Sequence, residues 1–226
     1  MSSLDIPSAS LSQEETVPIA LLLAFVGGYL DAYTWIIHGV MANAQTANLV
    51  LLWVYGASGK WDDALHFAPS IAAFATGILS AAWLRRVAGR RTSTICALVE
   101  IVLLVAIGVL HNRLPDLAGT LGISFVAAVQ TAVFTKVDGA AYSSVMVTGN
   151  MRQAIEGVFL AVSGGGAGRP LRRSGIFAGL CISFGVGAAV GAFATKGIPD
   201  IALGVPATAL VLVLLHSGFE RSEVPA

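Results

Sequence analysis

Charge is what this sequence has least of. Lys and Arg number 13, Asp and Glu another 13, and together they make up 12% of 226 residues. A water-soluble domain carries about 25%, so this chain cannot cover a wet surface. The two signs balance to a net charge of zero, which leaves no basic patch for nucleic acid and no acidic field for a cationic partner. Cysteine is scarce as well. Cys96 and Cys181 each sit in an apolar run and read as small packed residues, not as a disulfide or a metal pair. His38, His66, His111 and His216 are scattered at segment edges, which is no metal-ligand spacing. The N-terminal stretch MSSLDIPSASLSQEETVP has no Lys or Arg, so the basic region of a cleaved signal peptide is missing. The glycine-rich stretch at 163–168 follows no strand and matches no phosphate loop. With no nucleophile–base pair either, neither an enzyme nor a cofactor is expected.

What the chain does have is apolar sequence: 56% hydrophobic residues and a mean hydropathy of +0.80. That composition marks an integral membrane protein. Six segments reach the roughly 20 apolar residues that a spanning helix needs: about 17–37, 66–84, 94–111, 117–136, 174–195 and 199–217. Ser12 with Glu15 fits a capping box before the first, and Pro18 suits its first turn. Two more segments are irregular. The stretch 41–58 begins MANAQTAN before turning apolar, and 142–162 begins YSSVMVTGNMRQ and carries Arg152 and Glu156 near its centre.

Loop charge separates the possible topologies. If the irregular segments dip into the bilayer and return, Arg85, Arg86, Arg90, Arg91, Lys136, Arg169, Arg172, Arg173 and Arg221 share one side. Only Lys60, Arg113 and Lys196 then fall on the other. The positive-inside rule makes the rich side cytoplasmic. Eight crossings would divide the same charges evenly. The expected fold is therefore an all-α, polytopic transmembrane helix bundle of about six spanning helices plus two re-entrant half-helix segments. It has a cytoplasmic N-terminal tail (1–16), one transmembrane domain (17–217) and a C-terminal tail (218–226).

Landmarks recur along that domain. Thr46-Ala47-Asn48 is echoed by Thr148-Gly149-Asn150, Phe74-x-x-Gly77 by Phe184-x-x-Gly187, and Leu110-His111 by Leu215-His216. The unit reads helix, re-entrant segment, helix, helix, over about 17–111 and again over about 117–217. Three crossings per unit is odd, so the second copy must be inverted, as in many transporters. In this reading Asn caps a half-helix whose amide end points into the protein, and two such ends face one site.

Gly28-Tyr29-Leu30-Asp31-Ala32, with Thr46-Ala47-Asn48 and Thr148-Gly149-Asn150, resembles the YoaK-like bacterial membrane proteins, a family of unknown function. The resemblance covers about residues 17–217. It implies a six-helix, multi-pass protein of the bacterial inner membrane, and it implies no substrate. Ala47 stands where the family pattern has glycine, so that position does not demand a positive φ.

Asp31 is the most costly residue in the first span, at about 2.5–3.5 kcal/mol for a carboxylate at a helix centre. Ala24, Gly27, Asp31 and Thr34 share a face that can turn inward. Candidate ligand-path residues are thus Asp31, Thr46, Asn48, Thr148, Gly149 and Asn150, with Gly28, Gln130, Arg152 and Glu156 as possible supports. Aligned on the Thr-x-Asn pair, Val133 stands opposite Asp31, so the site has no second acid. Glu100 calls for a structural partner such as a nearby Arg. Gly175, Gly179, Ser183, Gly187 and Gly191 form a small-residue column, and Ala68, Ala72, Thr76 and Ser80 a weaker one. Such columns pack helices within a bundle or join copies of the chain. Trp35, Trp53, Trp61 and Trp83 suit the membrane interface. The functional expectation is a transporter or channel for a small polar or anionic solute or an ion. The alternative is a non-transporting scaffold that binds a second chain through the glycine column.

Overall fold

A computed structural model describes residues 16–163 and 168–222. Ser12 and Glu15, the glycine-rich connection at 164–167 and the end of the C-terminal tail lie outside the described residues. The elements are α1 (Val17–His38), α2 (Gln45–Ala57), α3 (Trp61–Leu65), α4 (Ala68–Ala88), α5 (Thr92–Leu110), α6 (Asp116–Val133), α7 (Val147–Val162), α8 (Gly168–Gly197) and α9 (Gly204–Ser222). The fold is all-α, and six of its helical stretches are long and apolar enough to cross a membrane. Those six coincide with the six apolar segments of the sequence, so the protein is a multi-pass integral membrane protein.

The two irregular segments yield the short helices. α2 has 13 residues and α7 has 16, or about 20 and 24 Å at 1.5 Å per residue. Neither reaches the roughly 30 Å of a hydrocarbon core. Each follows a stretch of non-helical backbone that is largely buried: Val40, Ala42 and Asn43 before α2, and Val137, Tyr142, Ser144 and Val145 before α7.

Two boundaries differ from the sequence reading. α6 stops at Val133 because Phe134 turns extended. Lys136–Val137 (β1) then pairs antiparallel with Ala140–Ala141 (β2). Between them Asp138 and Gly139 have φ of 49° and 72°, the left-handed pair that a tight hairpin turn requires. Lys136 and Asp138 therefore lie in a hairpin, not at a helix end. α8 begins at Gly168, so the basic run GRPLRR forms its first turns and not a loop. There Arg172 Nη2 donates to Asp138 Oδ1 at 2.7 Å.

Packing is tightest between α1 and α8 and between α4 and α6. A Cβ on Gly28 would stand 2.0 Å from the carbonyl oxygen of Phe184, and one on Gly187 would stand 2.0 Å from that of Phe25. Only glycine permits backbones that close, the usual device of lipid-embedded helices. At Gly77 of α4 a Cβ would meet Phe125 O of α6 at 2.7 Å. α1 also covers more of the α8 column: Ser183 Oγ donates to Leu21 O at 2.7 Å, and Gly191 lies against Tyr29. From Gly179 to Gly191 the column is thus covered within the chain, which removes most of the face assigned to a second copy.

On α4 the buried stripe is Ser70, Ala73, Gly77 and Ala81, not the Ala68–Ser80 column. Thr76 Oγ1 and Ser80 Oγ instead donate to the carbonyls of Ala72 and Thr76 on their own helix, each at 2.8 Å. α5 packs against α6 and α9, and α9 also meets α1. Tyr29 Oη crosses to the Ala202 carbonyl at 2.5 Å. The outer surface is apolar, with Leu79, Val102, Val109, Ile182 and Phe193 among its exposed side chains. Trp35, Trp53, Trp61 and Trp83 are exposed as well.

A candidate cavity between two interrupted segments

The chain reverses at Gly39 in the left-handed region, φ 67°, and the loop that follows folds back onto the helix it has just left. α1 supplies what this loop needs. Thr34 Oγ1 accepts the Ala42 N–H at 3.0 Å, and Asp31 Oδ1 accepts the Asn43 N–H at 2.7 Å. Asn43 Nδ2 donates to the Gly27 carbonyl at 2.9 Å. The inward face of Gly27, Asp31 and Thr34 thus satisfies buried backbone that no regular structure serves, as membrane burial demands.

Asn48 closes the loop from its other end. It is fully buried, its Oδ1 accepts the Met41 N–H at 3.0 Å, and its Nδ2 donates to the Met41 carbonyl at 2.7 Å. Asn150 does the same in the second segment, donating through Nδ2 to the Ser143 carbonyl at 2.7 Å. Both side chains reach back seven residues. The expected role as helix N-cap is therefore corrected. The cap positions are Ala44 and Met146, neither with a side-chain cap bond, and the asparagines sit in the first helical turn as loop clamps.

Between the two loops lies a cavity of about 630 Å³. Its wall takes Asp31, Ala32 and Trp35 from α1, residues 41 and 43–46 from the first loop and α2, and 145–148 from the second loop and α7. Phe74 of α4, Thr131 of α6, and Phe184 and Ala188 of α8 complete it. Of the ligand-path residues read from the sequence, Asp31, Thr46 and Thr148 come together here, while Asn48 and Asn150 hold the loops from behind.

The possible supports divide. Gly28 is a packing contact with α8. Gln130 is fully buried and donates through Nε2 to Leu23 O and Ser144 Oγ, each at 2.9 Å, tying α6 to α1 and to the second loop. Arg152 and Glu156 form a 3.6 Å ion pair with both side chains mostly exposed, so they are an ordinary pair one turn apart on a helix surface and not part of the wall.

Sequence reasoning missed Asn43 and Gln45. Asn43 and Gln45 lie in MANAQTAN just before the Thr-x-Asn motif, and no spacing in the sequence sets them apart. Thr131, mid-span beside Gln130, reads from the sequence as a residue able to bond across helices; its Oγ1 instead donates to the Ala127 carbonyl of its own helix at 2.8 Å. Glu100 departs from expectation in another way: it is fully buried, and neither carboxyl oxygen has a hydrogen-bond partner among the described residues. No Arg reaches it. Among the described residues no cluster of His, Cys, Asp or Glu could hold a metal ion.

A family model described as "Protein of unknown function (DUF1275)" matches residues 19–216. No curated protein and no solved structure matches the chain.

Proposed function

The chain belongs to the DUF1275 family, and from that premise we propose that it is a transporter or channel for a small molecule or ion. The path runs through the cavity between the two loops. The observation that carries this reading is the cavity itself: polar side chains and two interrupted backbone segments converge on one space inside a membrane protein. Non-helical backbone at membrane depth is tolerated where it lines such a space, and broken helices at a central site are a transporter device.

In this reading the chain is an inverted repeat, α1–α2–α4–α5 followed by α6–α7–α8–α9. The packing supports it. Exchanging the halves turns the α1–α8 pair into the α6–α4 pair, the α5–α6 pair into α9–α1, and α2–α4 into α7–α8, and all of these pairs are in contact. Gly187 on Phe25 O corresponds to Gly77 on Phe125 O. On that register Ala128 answers Gly28 and Thr131 answers Asp31, in place of Val133. The cavity wall then holds matched pairs: Asp31 with Thr131, Thr46 with Thr148, and Phe74 with Phe184.

α2 and α7 are re-entrant from opposite leaflets. Both termini are cytoplasmic, which places nine basic residues inside against three outside in accord with the positive-inside rule. A bacterial inner membrane fits the YoaK-like resemblance. The scaffold alternative needs a free glycine column, and α1 covers most of it.

The test is sided labelling. In a chain with Cys96 and Cys181 replaced by Ala, Thr46→Cys and Thr148→Cys are exposed to a membrane-impermeant thiol reagent applied from each side of oriented vesicles. A path predicts that both react, each protected when the other is derivatised. Inertness of both from either side contradicts it.

A further inference from the structure

The solute expected from sequence was polar or anionic, on the ground that helix amide ends favour negative charge. The wall has a different balance. Among the described residues Asp31 is its one ionisable side chain, and no Lys, Arg or His lies on it. The loop before α2 already turns the Asn43 N–H on that carboxylate at 2.7 Å. Asn43, also on the wall and 7% exposed, carries a buried Oδ1 that has no donor among the described residues. One carboxylate and one orphaned carbonyl are both acceptors. Around them stand Trp35, Phe74 and Phe184, whose ring faces attract cations and whose area suits an apolar body.

Resting on the proposed path, we infer that the cavity takes a compact organic cation. Its ammonium group sits against Asp31, and its apolar part lies against the aromatic side chains. A largely apolar wall whose one charged side chain is a carboxylate pairs with N–H donors carrying positive charge. An anion would meet Asp31 with no opposing side chain. A neutral body of the same shape would leave the carboxylate desolvated without a counter-charge.

The experiment uses the full chain in detergent with tritiated 2-phenylethylamine as the probe. Competitors are size-matched: unlabelled 2-phenylethylamine, 3-phenylpropanoate, 2-phenylethanol and phenylalanine. The inference predicts saturable binding displaced by the amine and by none of the others. It predicts at least a tenfold loss of affinity in Asp31→Asn. Because Asp31 also supports the loop, a second variant, Thr46→Lys, places a cation at the exposed mouth and is expected to weaken amine binding while eluting as the parent protein does. Equal competition by the propanoate or by phenylalanine overturns the inference, as does unchanged binding in both variants or no saturable amine binding at all. These failures are distinguishable from failure of the path, which sided labelling at Thr46 and Thr148 reads without any ligand.

Discussion

Asn48 holds both backbone groups of Met41, donating to its carbonyl at 2.7 Å and accepting its N–H at 3.0 Å. That relationship makes an irregular loop possible inside an apolar protein. It also explains why a hydrophobic chain places Thr-small-Asn in the middle of such a segment: the asparagine pays the loop's hydrogen-bond debt.

Removing that clamp should destabilise the fold. Asn48→Ala leaves Met41 without its side-chain partner and also removes the Nδ2 contacts to Gln45 Oε1 at 3.0 Å and Ser70 Oγ at 3.1 Å. The expected loss is about 1–3 kcal/mol. Asn150→Ala, with its contact to the Ser143 carbonyl alone, should cost less. Thermal unfolding in detergent checks the order; an equal or reversed order contradicts the clamp.

The α1–α8 contact should tolerate no side chain at Gly187. Gly187→Val forces a Cβ into the Phe25 carbonyl, whereas a Cβ on Gly185 meets nothing within 4 Å. The expected outcome is loss of monodisperse protein for Gly187→Val and parent-like elution for Gly185→Val. Size-exclusion profiles of both variants decide it.

Glu100 should be replaceable by an apolar residue with a gain in stability. Its oxygens are buried without partners among the described residues, and an unsatisfied buried polar group costs about 1–3 kcal/mol. Glu100→Leu is expected to raise the Tm. A lower Tm would mean that the carboxyl has a stabilising partner in the membrane-embedded protein.

The Arg172–Asp138 pair should matter little, although its 2.7 Å distance is short. The Arg172 side chain is 65% exposed, and exposed pairs contribute about 0–1 kcal/mol. Asp138→Asn, which keeps the left-handed turn, should shift the Tm only slightly. Replacement of Gly139 by Val should do more, because φ there is 72°.

The membrane-length helices were legible because hydropathy is a local, additive signal. α2 and α7 were legible because MANAQTAN and TGNMRQ break that signal. The ends of α6 and α8 were not. Phe134 leaves the helix for a hairpin set by the Asp138–Gly139 turn, and the basic GRPLRR run carries no helix-breaking residue past Pro170, which sits in the first turn. The cavity was half visible. Asp31, Thr46 and Thr148 stood out as polar residues among apolar ones. The functions of Asn48 and Asn150 depended on where their loops fold, and the proposed pairing of Thr131 with Asp31 rests on helix contacts that motif spacing does not show.

The most direct test of re-entry is the sidedness of Ser58 and Ser163, the residues that follow α2 and α7. Single cysteines at these exposed positions, in a chain with Cys96 and Cys181 replaced by Ala, are labelled in intact cells and in inside-out vesicles. The account predicts Ser58→Cys labelled from the periplasmic side only and Ser163→Cys from the cytoplasmic side only. Labelling of both from one and the same side would mean that α2 and α7 cross the bilayer.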